Sequence, residues 1–171
     1  MVNRMRIKVT RSPLRLRSGQ AGHHVTSIVV KNANKKFSLN EKFIKKIVAD
    51  ILKILKSSRN TKLEIVFLSD RAIESLNRRY KNESRATDVL SFDLDFCGQI
   101  LISSDMALEN SRVFNTPFEN ELVLYVVHGI LHLFGYDDQK PKEKLKMFKK
   151  QSSILERLCA KVNLSKVLTR R

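Results

Sequence analysis

Two histidines, His128 and His132, stand four residues apart in a long apolar segment of the sequence. Residues at this spacing lie on one face of an α-helix, so both imidazoles reach the same ion. A helix supplies two nitrogen ligands to zinc with this spacing. A lone histidine on an apolar helix is more often a buried structural residue, but the pair favours a metal site.

A metal site needs a further protein ligand, and the residues after the predicted helix offer one. Gly135 permits the chain to reverse, and two carboxylates follow it, at Asp137 and Asp138. Either carboxylate would give the metal ion a third protein ligand beside the two histidines. Three protein ligands leave a fourth position on zinc for water, whose pKa then falls towards neutrality. The pattern therefore predicts hydrolytic chemistry.

The residue after the first histidine separates two kinds of hydrolase. Zinc peptidases of the His-Glu-x-x-His type carry a glutamate there as general base, whereas this chain has Gly129. A nuclease suits the sequence better, because 33 Lys and Arg against 17 Asp and Glu give a formal net charge of +16. A positive charge of this size attracts polyanions such as RNA.

The excess positive charge lies at the two ends of the chain. Residues 1–24 contain six basic residues and no acidic one, and residues 140–171 contain eleven basic and two acidic residues. The sequence between them is nearly neutral. We therefore predict a basic N-terminal extension over residues 1–24, which we expect to be disordered. One folded domain follows over residues 25–165, with a basic C-terminal tail over residues 166–171.

Length, composition and cysteine content predict a single intracellular domain. The chain has 171 residues, of which 42% are hydrophobic, enough for one compact core. Its two cysteines, Cys97 and Cys159, form neither a disulfide framework nor a Cys-x-x-Cys pair, so we expect no disulfide and a cytoplasmic location. The sequence shows no signal peptide and no apolar run of about 18 residues, so we expect no membrane partner.

Periodicity predicts four strands and four helices. β-branched and apolar runs indicate strands at 26–30, 63–68, 89–94 and 100–102, and we expect the last two to form a hairpin. Helical spacing of apolar residues indicates helices over about 38–57, 69–80, 116–135 and 142–161. The predicted fold class is α/β (α+β), a single domain with about four strands and helices packed around them.

Capping residues set the ends of these helices. Ser38 has the capping-box spacing to Glu41, and Thr116 is an N-cap candidate with Pro117 at the first helical position. Gly135 ends the helix that carries the two histidines. The final helix has an apolar stripe that predicts its core-facing side, formed by Leu145, Phe148, Ile154, Leu155 and Leu158.

The segment from His128 to Asp138 reads His-Gly-Ile-Leu-His-Leu-Phe-Gly-Tyr-Asp-Asp. It resembles the signature of the YbeY family of rRNA maturation endoribonucleases, His-Gly-x-Leu-His-Leu-x-Gly-Tyr-Asp-His. Asp138 stands where the family has its third histidine ligand. The resemblance covers about residues 26–150 and includes Leu76, Asn77, Tyr80, the segment 87–92, Gly98, Ile100 and Ser103.

The resemblance implies a mixed sheet and a metal site at the end of the central His-bearing helix. One zinc ion per chain is expected, held by His128, His132 and Asp138. The other histidines, His23 and His24, lie in the extension, so no further imidazole is expected to serve as a ligand. The resemblance also implies a single-strand-specific, metal-dependent endoribonuclease in rRNA processing and ribosome biogenesis. Its roles include 3′-end maturation of small-subunit rRNA and ribosome quality control, with single-stranded RNA, rRNA and the small ribosomal subunit as partners.

Besides Asp138, four positions depart from the family pattern, and one of them concerns the substrate phosphate. The family's arginine after the motif tyrosine is Lys81 here, which keeps the charge but lacks the bidentate fork of a guanidinium. Arg85 in the same loop is a second candidate, so Lys81 or Arg85 is expected to face the scissile phosphate as a catalytic cation. The other departures are Ser84 for an acidic residue, Ala86 for a proline and Gln99 for an aspartate.

Two alternative functions stay open at this point. The departures at Lys81, Ser84 and Asp138 favour a ribosome-associated RNA-binding protein with a structural metal and little turnover. A metallopeptidase comes third, because Gly129 removes its general base.

Weaker signals come from several other residues. Thr87 and Asp88 either position substrate or form a local hydrogen-bonded cap. Glu121, two helical turns before His128, either orients a ligating histidine or favours the helix N-terminus. The lysines of the final helix either solvate its face or contact phosphate. Three aromatic residues fit a core better than a base-stacking role, namely Phe92, Phe96 and Phe134.

Overall fold

Four strands form one mixed sheet, around which the helices pack. The computed structural model describes residues 25–56, 61–81, 87–94 and 97–169. The strands are β1 (Val25–Asn32), β2 (Thr61–Leu68), β3 (Val89–Leu94) and β4 (Cys97–Ser103). The helices are α1 (Glu41–Ile54), α2 (Asp70–Lys81), α3 (Ser104–Val113), α4 (Phe118–Leu133) and α5 (Pro141–Lys161), followed by a 3₁₀ turn over Leu164–Val167.

The strand order across the sheet is β1-β2-β4-β3. β1 pairs with β2, and β2 with β4, in parallel, whereas β3 runs antiparallel to β4. The predicted mixed α/β domain and the hairpin of the last two strands are therefore confirmed. Parallel neighbours need a crossover, and α1 supplies it between β1 and β2.

Alternating residues of β2 face two different cores, because successive side chains of a strand point to opposite faces. Leu63, Ile65 and Phe67 lie in the main core, which α1, α4 and α5 cover. On the other face, Val66 and Leu68 pack with Ile73 of α2 in a smaller cluster. The metal-site candidates lie on α4, on the side of the main core.

The α4 helix is enclosed by the rest of the domain. It packs against β3, β4, α3 and α5, and each residue from Glu121 to Leu133 is buried. Gly129 marks a close approach of α4 to the sheet, since a Cβ atom there would lie 2.6 Å from Cγ2 of Ile100. Glycine suits this position because the branched side chain of Ile100, packed in the core, has little room to move away from a Cβ atom.

The predicted capping residues of α1 and α4 are wrong by one or two positions. Asn40, not Ser38, caps α1, and its side chain accepts a hydrogen bond from the amide of Phe43 at 3.0 Å. The backbone carbonyl of Ser38 accepts a hydrogen bond from the amide of Thr169 at 2.9 Å. The N-cap of α4 is Pro117, and the Thr116 hydroxyl donates to Glu121 at 2.7 Å.

The α3 helix was absent from the sequence prediction. Ser103 caps it by accepting from the amide of Met106, and its buried residues are the small side chains Ser104, Ala107 and Ser111. A helix that packs through small residues lacks the apolar period on which the prediction relied.

The apolar stripe predicted for α5 is wrong in its first half. Leu145 is 55% exposed and Phe148 is 57% exposed. The prediction holds for Ile154 and Leu158, which are buried, and the remaining core-facing positions of the helix are Met147 and Gln151. The spacing of these four residues follows one helical face, from which Leu145 and Phe148 are rotated away.

The folded unit includes residues 167 and 168, which lie in the segment predicted as a basic C-terminal tail over residues 166–171. Leu164 and Val167 are buried in the main core. Leu168 forms an antiparallel bridge with Leu39, next to the start of α1. The N-terminal extension over residues 1–24 lies outside the described residues.

Candidate metal centre

The two histidines of α4 point their rings at each other. Their Nε2 atoms lie 2.7 Å apart, and both side chains are buried. The four-residue spacing accounts for the shared face, and the enclosure of α4 accounts for the burial. The sequence prediction that both imidazoles reach one point in space is confirmed.

A second contact sets the orientation of each ring. Nδ1 of His128 lies 2.8 Å from Oε1 of Gln151, and Nδ1 of His132 lies 3.0 Å from the carbonyl oxygen of Tyr136. Both partners are acceptors, so each Nδ1 carries the proton and donates it. Each Nε2 is then left with a lone pair, which is the form that binds a metal ion.

This arrangement fits a cation between the rings. Two lone pairs 2.7 Å apart repel each other, and a positive ion between them converts the repulsion into attraction. Burial lowers the pKa of His128 to about 3, and a proton on His132 would lower it further, so the imidazole of His128 is neutral at pH 7. Metal ligation needs that neutral form.

The turn after α4 brings a third ligand to the histidines. Gly135 has a φ of +82°, its amide donates to the carbonyl of His132, and the amide of Tyr136 donates to the carbonyl of Leu131. This pair of bonds is the Schellman motif, which ends a helix and reverses the chain. The reversal places the Tyr136 carbonyl against His132 and carries Asp138 to the same point.

Asp138, and not Asp137, joins the histidines. Ligand atoms of His128, His132 and Asp138 all lie within 4.8 Å of one another, a spacing that suits one metal ion. Burial raises the pKa of the Asp138 carboxyl, and a positive charge on His132 acts in the opposite direction. Asp137 accepts a hydrogen bond from the amide of Gln139 at 3.1 Å, within its own turn.

Asp88, which directly precedes β3, is a buried carboxyl whose electrostatics include Asp138. Its Oδ1 accepts hydrogen bonds from the Val89 amide at 3.1 Å and from the Thr87 hydroxyl at 3.3 Å. Burial raises its pKa to about 7, and the charge of Asp138 adds to that effect. The local hydrogen-bonded cap, one of the two roles expected for Thr87 and Asp88, is therefore present.

The position of Gly129 disfavours peptidase chemistry. In His-Glu-x-x-His enzymes this position carries the general base. Here a side chain at residue 129 would meet Ile100 and Val89 of the sheet, at 2.6 and 3.2 Å. The position faces the core and offers no room for a glutamate.

The structure describes some of the other residues that the sequence analysis singled out. Lys81 is the last residue of α2, and Arg85 lies outside the described residues, as does Phe96. Glu121 is buried and accepts a hydrogen bond from Thr116 at the start of α4. The rings of Phe92 and Phe134 are partly buried against the two core clusters.

Gln151 is the residue that sequence reasoning missed. It occupies a position in the core-facing row of α5, between Met147 and Ile154, where an apolar residue is expected. A polar residue in such a row needs a buried partner, and that was the available signal. Its partner, His128, is 23 positions away in the sequence, so periodicity within α5 did not reveal it.

The departure at Gln99 has a local explanation. Its side-chain amide donates to Glu64 at 2.9 Å, and Lys31 donates to the other oxygen of the same carboxylate at 2.8 Å. An aspartate at position 99 would place a second negative charge beside Glu64. Glutamine therefore suits position 99, because its side-chain amide can donate a hydrogen bond to Glu64.

The fold and the centre define a class of protein, a small α/β domain whose buried helix presents two imidazoles beside a carboxylate. The chain belongs to the YbeY family. The model of this family, described as endoribonuclease YbeY, matches residues 29–159.

Individual relatives agree with this assignment. The endoribonuclease YbeY of Lysinibacillus sphaericus is 37% identical over 112 residues, which cover 56% of this chain and 71% of that protein. The endoribonuclease YbeY of Thermotoga maritima is 36% identical over 120 residues, which cover 68% of this chain and 73% of that protein. A solution structure of a Thermotoga maritima protein is similar in fold, with a TM-score of 0.57 and 33% identity over 75% of this chain and 87% of that one.

Proposed function

We propose that this protein is a metal-dependent endoribonuclease that cleaves single-stranded RNA in rRNA processing. The observation that carries the proposal is the centre of His128, His132 and Asp138, in a chain whose relatives are named endoribonucleases. Within ribosome biogenesis, the proposed roles are 3′-end maturation of small-subunit rRNA and quality control of ribosomes. The proposed partners are rRNA and the small ribosomal subunit, in the cytoplasm.

Zinc is the metal that the donor set favours, since two imidazoles and one carboxylate are common zinc ligands. When bound, the ion supplies Lewis acidity that lowers the pKa of a water molecule and polarises a phosphoryl oxygen. Gln151 and the Tyr136 carbonyl hold the two imidazoles in the ligating tautomer. The rigid packing of α4 keeps the rings in place, so little reorganisation is needed when the substrate arrives.

A carboxylate as third ligand alters the expected properties of the centre. Compared with a third imidazole, Asp138 lowers the net charge of the site by one, so the bound water is less acidic. Oxygen ligands also suit harder metals, so the site is expected to accept manganese more readily than a three-histidine site does.

Lys81 and Arg85 are the proposed contacts to the scissile phosphate. Either cation stabilises negative charge that develops on the phosphate oxygens, and a guanidinium does so with two parallel hydrogen bonds. This role rests on the resemblance at the end of α2 and in the loop that follows. Comparing Lys81→Gln with Arg85→Gln in a cleavage assay identifies which of the two acts, and Lys81→Arg shows whether the bidentate fork increases the rate.

Among the described helices, none combines the length and hydrophobicity that a membrane crossing requires.

The test is an incubation of the full chain with a single-stranded fragment of small-subunit rRNA, with added zinc and with a chelator. We expect internal cleavage that the chelator stops and that zinc restores, and slower cleavage when the same fragment is paired with its complement. RNA binding without cleavage in the presence of zinc would contradict the proposal. That outcome would favour the RNA-binding protein with a structural metal, for which the absence of the family's arginine at Lys81 is the supporting observation.

A further inference from the structure

The solvent side of α5 combines positive charge with exposed apolar groups. The helix contains seven basic and two acidic residues. Leu145 and Phe148, expected in the core, are 55% and 57% exposed. We use the name α5 outer face for the exposed side chains Lys142, Leu145, Lys146, Phe148 and Lys149.

Helical geometry makes these side chains neighbours. Residues three or four apart lie side by side on a helix, so Leu145 is adjacent to Lys142, Phe148 and Lys149. Lysines alone would keep this side of the helix solvated. A phenylalanine and a leucine that lie side by side among these lysines form an apolar patch with a polar rim, and such patches are typical of interaction sites.

The α5 outer face approaches the metal centre at one edge, through Lys146. Gln151 of the same helix holds His128 at 2.8 Å from the opposite, core-facing side. Nζ of Lys146 lies 5.9 Å from the ring centroid of Tyr136, the residue whose carbonyl holds His132. An RNA chain bound along the α5 outer face would therefore pass beside Tyr136, in the turn that leads from His132 to Asp138.

We propose that the α5 outer face binds the single-stranded RNA substrate beside the scissile bond, with a base stacked on Phe148 and phosphates on the flanking lysines. This inference rests on the proposed function, since it assigns a binding surface to that same site. An aromatic ring among lysines is the common platform for unpaired nucleotides. Bases in a duplex are already stacked on each other, so the surface favours single strands.

Two other occupants fit the α5 outer face less well. An anionic membrane attracts basic amphipathic helices, but such helices insert a whole apolar face. The apolar face of α5 is buried in the domain, through Met147, Gln151, Ile154 and Leu158. A second copy of this chain would bring two faces of equal positive charge together, which like-charge repulsion opposes.

Two sets of variants test the proposal, each with a matched control. Phe148→Ser removes the exposed ring, and Val113→Ser removes an apolar side chain that is 68% exposed on α3. Lys142→Gln with Lys149→Gln removes two charges from the α5 outer face, and Lys45→Gln with Lys46→Gln removes two exposed charges from α1. Binding of the full-length proteins to a labelled oligouridylate of about 20 nucleotides is measured by fluorescence anisotropy over a range of salt concentrations, with a chelator present to prevent cleavage.

We expect Phe148→Ser to raise the Kd at least about fivefold without changing the salt dependence, because stacking carries no charge. The double variant Lys142→Gln with Lys149→Gln should reduce the slope of log Kd against log salt by about 1.4, or about 0.7 for each phosphate that is no longer neutralised. The two controls should stay within about twofold of the parent chain. If each α5 variant binds RNA like its control, the proposal is wrong.

The failure of this proposal is distinguishable from the failure of the proposed function. If the parent chain cleaves RNA and the α5 variants match their controls in both KM and Kd, the binding surface is wrong and the nuclease stands. If nothing is cleaved while the α5 variants lose RNA binding, the surface stands and the nuclease is wrong. Phe148→Ser is also tested for binding to phosphatidylserine vesicles and for dimerisation by sedimentation. If the variant loses either of these while its RNA binding is unchanged, the α5 outer face binds a membrane or a second copy of the chain, and the proposal is wrong.

Discussion

The α4 and α5 helices both contribute to the metal centre, but their surroundings differ. In α4, each residue from Glu121 to Leu133 is buried, including both histidines. In α5, the buried residues are Met147, Gln151, Ile154 and Leu158, and most of the remaining side chains are charged or polar. The two helices meet where Gln151 contacts His128.

This difference decides how easily function is recognised in each helix. A polar side chain inside a buried helix costs free energy unless a partner satisfies it, so its presence points to a role. A lysine on an exposed helix costs nothing, so the sequence assigns it no role by itself. In α5 the position of each lysine relative to the metal centre, rather than its type, carries the information.

The largest expected effect is the loss of an α4 ligand. His132→Ala should reduce bound zinc from about one per chain to near zero and cleavage of single-stranded RNA by at least about 100-fold. Metal content by atomic emission and a cleavage time course measure the two effects. The paired substitution His23→Ala and His24→Ala serves as the histidine control, and equal zinc content in all variants would remove the basis of the proposed centre.

The turn between the two helices gives the next largest effect. Asp138→Ala should weaken zinc binding by about 100-fold, whereas Asp137→Ala should change it by less than about threefold. Asp138→His should retain zinc, since an imidazole also ligates it. Competition with a chromogenic chelator measures the affinities. Equal losses for Asp137→Ala and Asp138→Ala would show that the third ligand is assigned wrongly.

Variants at Gln151 test whether the contact from α5 to His128 strengthens metal binding by the histidines of α4. Gln151→Met removes the acceptor for Nδ1 of His128 and should weaken zinc binding by about 10- to 100-fold. Gln151→Glu keeps an acceptor and should restore the affinity, which a purely packing role would not produce. The control is Ser153→Met on the exposed side of the same helix, and a loss there as large as that of Gln151→Met would contradict the role of the contact.

The raised pKa of the buried Asp88 carboxyl can be tested through the pH dependence of stability. Its pKa is raised to about 7 in the folded chain, so the metal-free protein loses stability as pH rises from about 4 to about 7. Asp88→Asn removes this titration. Relative to the parent chain, its free energy of unfolding should improve by about 2 to 4 kcal/mol between pH 4 and pH 8. Urea titrations in a chelator measure this difference, and a constant difference across that range would exclude a raised pKa.

The smallest effect contrasts packing in the two helices directly. Gly129→Ala forces a Cβ atom against Ile100 and should destabilise the fold by about 1 to 2 kcal/mol, after the better helix propensity of alanine is included. Lys149→Ala on α5 should change stability by less than about 0.5 kcal/mol. Urea unfolding of both variants makes the comparison, and similar values for the two would show that α4 is packed less tightly than the structure indicates.

Several features of the centre were predictable because they depend on residues close together in the sequence. His128 and His132 share a face through helix geometry alone, and Gly135 reverses the chain through a local turn. The choice between Asp137 and Asp138 was not open to the same reasoning. It depends on which carboxylate the turn directs to the histidines, and local composition does not specify that direction.

The errors in the predicted fold have a related cause. The α3 helix buries serine and alanine, so no apolar period marked it. Leu145 and Phe148 had helical spacing but lie outside the face that packs on the domain. Hydrophobic spacing indicates that a helix exists, whereas its rotation about its own axis is set by the partners it packs against.

The order of residues in this chain is sufficient to specify the helices and strands of an α/β domain, a pair of imidazoles on one helix and a glycine turn followed by carboxylates, because each of these depends on local geometry. The contact from Gln151 to His128 and the exposure of Phe148 depend on how helices meet in space. Those contacts join residues from separate elements, and only the packing of the whole domain brings them together.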